Sequence, residues 1–336
     1  MTVSAIQRNS NIEILRMMAM LMVLILHSNF LISYPSDSLG SISDYIKVAV
    51  QLTNISAVNV FVFISGWFGI KANKKGLLNF LWQVFYWVLL LLILQSFISS
   101  EPICAKDFFM CFGLFNGGGW FVSSYLALYL LSPILNSFVK NASNKQLFSV
   151  TCAFFVFQTL WGLTLSVGFI LMGYSVFSFI GIYLLAQTIK RYNIVCNRKI
   201  CIVIFILCSL FNFVIYYITS KIGIYYVRDM VVAYINPLVI IQALALFYFA
   251  RLTPPCNNQY INVLSSSCFA VYLLHVGTPF AIESFKKVML FINAQYFGIK
   301  YILVVSFTLL TIYTLAIIIV QPRRWLWLKL TYLIHN

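Results

Sequence analysis

Carboxylates are the scarcest chemistry in this chain: 7 Asp and Glu stand among 336 residues, against 22 Lys and Arg, and charged side chains make up only 9%. A soluble globular chain carries about 25% charged residues, so a soluble enzyme is excluded. The three histidines and eight cysteines form no Cys-x-x-Cys pair. Cysteines such as Cys152, Cys208 and Cys268 lie inside apolar runs, where a small buried hydrophobe is the ordinary reading. Neither a metal site nor a disulfide framework is expected. The net charge of +15 would suggest a nucleic-acid partner in a soluble chain. In a polytopic chain the same charge sits in the loops and sets orientation, so no nucleic acid is expected.

What fills the sequence is apolar: 62% hydrophobic residues, 31 Phe, 20 Tyr and a mean hydropathy of +0.94. That length accommodates about ten spans of roughly 20 residues with short loops. Apolar runs, broken by Lys, Arg, Pro or Asn clusters, divide the chain at roughly 12–32, 48–70, 77–98, 119–139, 147–166, 168–189, 200–219, 230–250, 261–281 and 301–320. The expectation is an all-α, polytopic integral membrane protein of about ten transmembrane helices. It forms one transmembrane domain over 1–336 with no appended soluble domain. The first span is retained, because no small-residue cleavage pattern follows it.

With the N-terminus inside, fifteen of the 22 basic residues face the cytoplasm, among them Arg16, Lys71, Lys74, Lys75, Lys190 and Arg251, and seven face outward. Both termini are then cytoplasmic. This division needs a very short outer turn at 162–169; fusing the helices on either side would reverse everything downstream. The loop 101–119 contains the run Asn116-Gly117-Gly118-Gly119-Trp120 and is expected to dip back into the membrane. Non-helical backbone survives at that depth only against protein or a water-filled cavity, so a cavity open to the outer face is expected. The glycine run reads equally well as a tight turn.

Ionisable residues inside spans are costly in hydrocarbon and mark partners or pathways. Arg16 and His27 lie in the first span, eleven positions apart. Eleven steps of about 100° end roughly 20° past three full turns, so the two share one face with an axial separation of roughly 16 Å. Arg16 reads either as a snorkelling cation or as a ligand contact. Glu13, three residues earlier, is placed to pair with it. His27 reads as a packing residue or as the start of a polar outer mouth with Ser28 and Asn29. His275 closes the run Val271-Tyr272-Leu273-Leu274-His275 in the ninth span, at a depth of about 21 Å that matches that of His27. The two imidazoles are candidates to meet, one as general base toward an alcohol and the other orienting it.

Residues 9–30 resemble the first helix of the membrane acyltransferase 3 family, whose hallmark is an arginine and a histidine separated by ten residues, here Arg16 and His27. The segment Asn59-Val60-Phe61-Val62-Phe63-Ile64-Ser65-Gly66-Trp67 is similar to the family's aromatic-rich stretch, followed by Lys71, Lys74 and Lys75. Gly119-Trp120-Phe121, Tyr125 and Pro133 match a third piece, and Tyr272-Leu273-Leu274-His275 a late one. The pieces follow the family's order along the whole chain. This sequence departs from many members in carrying no carboxylate within Trp120-Phe121-Val122-Ser123-Ser124-Tyr125, and so looks more like the shorter members.

The resemblance implies transfer of an acyl group, commonly acetyl, from cytoplasmic acyl-CoA to a hydroxyl of a lipid-linked or surface glycan such as O-antigen, capsule or exopolysaccharide. It implies a bacterial inner membrane, with acyl-CoA as co-substrate and no permanently bound cofactor. Arg16, Lys71, Lys74 and Lys75 would gather the donor's phosphates. His27 would act as general base, with Arg16 and His275 completing the catalytic set, and Asn116, Trp120 and Tyr125 would contact the sugar. An acyl-histidine intermediate on His27 or His275 is the alternative mechanism. Ser65 reads as small-residue packing beside Gly66. A glycan transporter or flippase would show the same basic and polar mouths without needing a thioester. A glycan polymerase would have larger outer loops than the one near 99–118.

Overall fold

A backbone in hydrocarbon must satisfy its own hydrogen bonds, and a chain this apolar therefore folds into helices. The computed structural model describes residues 9–30, 42–100, 102–114, 117–164 and 170–335. In chain order the helices are α1 (Ser10–Phe30), α2 (Ile42–Asn54), α3 (Ala57–Phe68), α4 (Lys74–Ser99), α5 (Ala105–Met110), α6 (Gly119–Asn141), α7 (Asn144–Thr164) and α8 (Val176–Tyr192). They continue with α9 (Arg198–Lys221), α10 (Tyr225–Val231), α11 (Pro237–Leu252), α12 (Gln259–Ser265), α13 (Cys268–Val276), α14 (Pro279–Gln295) and α15 (Gly298–His335). No strand occurs among the described residues.

Among the described residues six helical segments are long and apolar enough to cross a membrane, or seven if the pair 259–276 and 279–295, bent by 83°, counts as one span. The expected ten segments all carry helix, but not ten full-length apolar rods. The segment at 48–70 is among the six, formed by α2 and α3 with a turn at Ile55 and Ser56. The segment at 230–250 is mostly α11, only 16 residues long, and α8 has 17. The ninth segment breaks between α12 and α13. Of the short outer turn expected at 162–169, residues 165–169 lie outside the described residues.

The chain divides into two compact units, one of residues 1–71 and 130–265, the other of residues 72–129 and 266–336. In the first, α3 packs on α8 and α11, α11 on α9, and α1 on α2, α3, α11 and α12. Gly66 sets the approach of α3 to α8. A Cβ there would stand 2.9 Å from both the Ala186 Cβ and the Tyr183 Cα of α8, so only glycine fits. In the second unit α13 packs on α4, α14 and α15.

Candidate functional site

In the first unit, α1 runs unbroken from Ser10 to Phe30 and so holds Arg16 and His27 on one rigid rod. The strip joining them carries Met20 and Val23, each 4% exposed, so this face of α1 is turned toward protein. Arg16 and His27 are half-buried at its two ends. Arg16 does not snorkel as a solitary cation. Its Nη1 donates to Glu13 Oε1 at 2.6 Å, and Glu13 is only 3% exposed. The second carboxylate oxygen of Glu13 accepts from the Ser265 hydroxyl at the end of α12. A buried carboxylate needs both a counter-charge and donors for its remaining lone pairs, and Arg16 and Ser265 supply them.

The same end of α1 is strapped down further. Asn11 Nδ2 donates to the carbonyls of Thr253 (3.2 Å) and Pro254 (2.8 Å), the Ser10 amide donates to the Cys256 carbonyl at 2.8 Å, and the Ser10 hydroxyl donates to Asn262 Oδ1 at 2.9 Å. Arg16 thus projects from a helix end whose position is over-determined, and preorganisation of this kind is what a binding group requires.

After α3, Ile70 is pinned from both sides. Its amide donates to the Tyr183 hydroxyl at 3.0 Å, its carbonyl accepts from Asn136 Nδ2 at 2.8 Å, and Tyr183 donates in turn to Asn136 Oδ1 at 2.6 Å. That network places the exposed Lys71 immediately beyond a fixed point. Ser65 donates to the Phe61 carbonyl one turn back at 3.0 Å, a local helical bond in keeping with its packing role.

In the second unit, Lys74 and Lys75 open α4 as exposed cations, with Asn73 capping that helix by accepting from the Gly76 amide at 2.8 Å. Of the expected sugar contacts, Asn116 lies outside the described residues. Trp120 and Tyr125 are half-buried on α6. Tyr125 stacks on Phe121 at 5.7 Å between ring centroids, and Phe80 stacks on Phe269 at 5.3 Å, so this unit presents an aromatic shelf. The glycine run is a structural turn. A Cβ at Gly117 would lie 1.9 Å from the Met110 carbonyl, Gly118 has φ +77°, and its amide donates to the Gly277 carbonyl at 2.8 Å.

His275 belongs to the same unit and is 2% exposed. Its Nδ1 contacts the Val271 carbonyl at 2.6 Å, and since a carbonyl only accepts, Nδ1 is the donor. Tyr272 and Phe285 flank the ring at 6.0 and 5.5 Å. The expected meeting of His27 with His275 would join two residues of different compact units.

A family model described as an acyltransferase domain, of the acyltransferase 3 type, matches residues 9–321. The chain belongs to the acyltransferase 3 family. It is a multi-pass membrane acyltransferase. Comparison with curated proteins and with solved structures found no match. The matched region of this acyltransferase takes in Arg16, His27, Lys71 and His275 alike. The residues that sequence reasoning missed are partners distant in sequence. Ser265 is 252 positions from Glu13, and no local spacing announces it. The available signal was energetic: a buried glutamate obliges a donor besides Arg16.

Proposed function

We propose that this membrane acyltransferase is an O-acetyltransferase that moves an acetyl group from cytoplasmic acyl-CoA to a hydroxyl of a lipid-linked or surface glycan. The observation that carries this reading is the unbroken α1, whose protein-facing strip bears a cation at one end and an imidazole at the other. Their axial separation of roughly 16 Å is comparable to the reach of a pantetheine arm. Arg16, held by Glu13, meets donor phosphate, and Lys71 of the same unit attracts the same anion.

His27 takes the proton of the sugar hydroxyl as its oxygen attacks the thioester carbonyl. The carbon–sulfur bond then breaks, the thiolate leaves, and it recovers the proton from the imidazolium to give free CoA. Both termini lie in the cytoplasm of a bacterial inner membrane, a topology supported by the fifteen-to-seven split of basic residues.

Purified protein supplied with acetyl-CoA and a glycan acceptor releases free CoA, detected with a thiol reagent, and His27→Ala stops the release while the protein still elutes as a folded species. Undiminished turnover in that variant rejects His27 as the base. Glycan translocation without thioester consumption would identify a transporter instead.

A further inference from the structure

The carboxyl-terminal ends of three helices of the first unit meet at Trp67. The residue itself lies in the last turn of α3, the last turn of α8 brings Lys190, and the last turn of α11 brings Arg251. Basic residues at helix C-termini ordinarily satisfy the last carbonyls and complement the helix dipole. Lys190 does so, donating from Nζ to the Trp67 carbonyl at 2.8 Å, and Arg191 does so toward Ala142 at 2.7 Å.

Arg251 does not. Its guanidinium carbon lies 4.6 Å above the Trp67 ring centroid and 5.8 Å from that of Tyr248, it is exposed, and it makes no hydrogen bond or ion pair among the described residues. A guanidinium seated face-on against an indole keeps its five N–H donors directed outward around the rim. Lys190 carries a second positive charge on the same tryptophan, and no carboxylate neutralises either among the described residues. Two like charges gathered on one aromatic residue, with a free planar fork of donors, match the geometry that phosphate demands.

We propose that Arg251, with Lys190 beside it on Trp67, binds the phosphates at the nucleotide end of the acyl-CoA donor. The proposal rests on the acyl-transfer reading above. Its placement follows from the strap between the end of α11 and the start of α1. Asn11 holds the carbonyls of Thr253 and Pro254, only two and three residues past Arg251. Arg16 stands five residues beyond Asn11 on α1, about 8 Å further along the axis. A donor anchored at Arg251 therefore has its arm directed past Arg16 toward His27. An anionic lipid headgroup offers the same phosphate chemistry, and the lipid composition of the assay separates the two.

The test uses the full-length protein in nanodiscs of purely zwitterionic lipid. Wild type is compared with Arg251→Gln, Arg251→Lys and Arg198→Gln, the last removing the same charge from the neighbouring helix. The first readout is the preference in kcat/KM for acetyl-CoA over acetyl-pantetheine, which has the thioester but no nucleotide phosphates. Arg251→Gln is expected to shrink that preference about tenfold, Arg251→Lys less, and Arg198→Gln not measurably. The second readout is direct binding of adenosine 3′,5′-bisphosphate, expected to weaken about tenfold in Arg251→Gln.

An unchanged preference and unchanged nucleotide affinity in Arg251→Gln overturn the proposal, as does an equal loss in Arg198→Gln. A loss seen only when anionic lipid is included assigns the seat to headgroups and overturns it as well. If wild type shows no turnover yet binds the bisphosphate through Arg251, the acyl-transfer reading fails while the seat stands. If wild type turns over and the bisphosphate ignores Arg251, the reverse holds.

Discussion

The two compact units each hold one histidine that the sequence marks for chemistry, and they treat it differently. In the first unit His27 is half-buried near the far end of α1, on a strip whose other end is a buried ionic clamp of Glu13, Arg16 and Ser265. In the second unit His275 is 2% exposed, bonded to its own helix at Val271 and flanked by Tyr272 and Phe285. The strip of α1 that carries His27 ends in paired polar groups, whereas aromatic rings flank His275. The contrast is one of environment, a half-buried imidazole against a sealed one.

The largest expected effect is on turnover. His27→Ala should lower CoA release by roughly 100- to 10,000-fold, the usual contribution of a positioned general base. His275→Ala should act first on stability, by about 2–4 kcal/mol for a lost buried ring and its hydrogen bond. Its turnover per folded molecule should exceed that of His27→Ala at least tenfold. Equal losses in the two variants, measured on the monodisperse fraction, would erase the contrast between the units.

Glu13→Ala sharpens it from the other side. With the carboxylate gone, Arg16 and Ser265 lose their common partner, and we expect a stability loss of about 1–3 kcal/mol together with a raised KM for acetyl-CoA. A thermal-shift assay combined with steady-state kinetics would show whether the clamp holds Arg16 for binding or only fastens α1 to α12. Gly66→Ala forces a Cβ to within 2.9 Å of Ala186 and Tyr183 and should cost about 1–3 kcal/mol of overpacking at the α3–α8 contact. No change in melting temperature would mean that these helices separate easily. The smallest effect belongs to the exposed Lys71. Lys71→Ala should raise the acetyl-CoA KM about twofold to threefold at low salt, fading as ionic strength rises, because exposed charges are screened within about 10 Å at 0.1 M.

Much of this site was legible before any fold. Arg16 and His27 share a face because helical periodicity makes eleven residues nearly three whole turns, and Glu13 is in register with Arg16 at three residues. The number of full-length spans was less legible. Hydropathy reads a window, and it cannot see that α8 and α11 are only 17 and 16 residues long, or that the apolar run of the ninth segment breaks before α13. The glycine run at Gly117 and Gly118 offered two readings, and only its close approach to the Met110 and Gly277 carbonyls selects the turn.

The amino-acid sequence by itself determined the solvent of this protein and the chemistry on its first helix, because composition and short-range periodicity act within a single segment. The tertiary structure alone decided which cations are spoken for. Lys190 is claimed by the Trp67 carbonyl and Arg191 by the Ala142 carbonyl, while Arg251 lies on Trp67 with its donors free. The physical reason is that a charge is satisfied by whatever lies a few ångströms away in space, and in this fold those neighbours come from helices far apart along the chain.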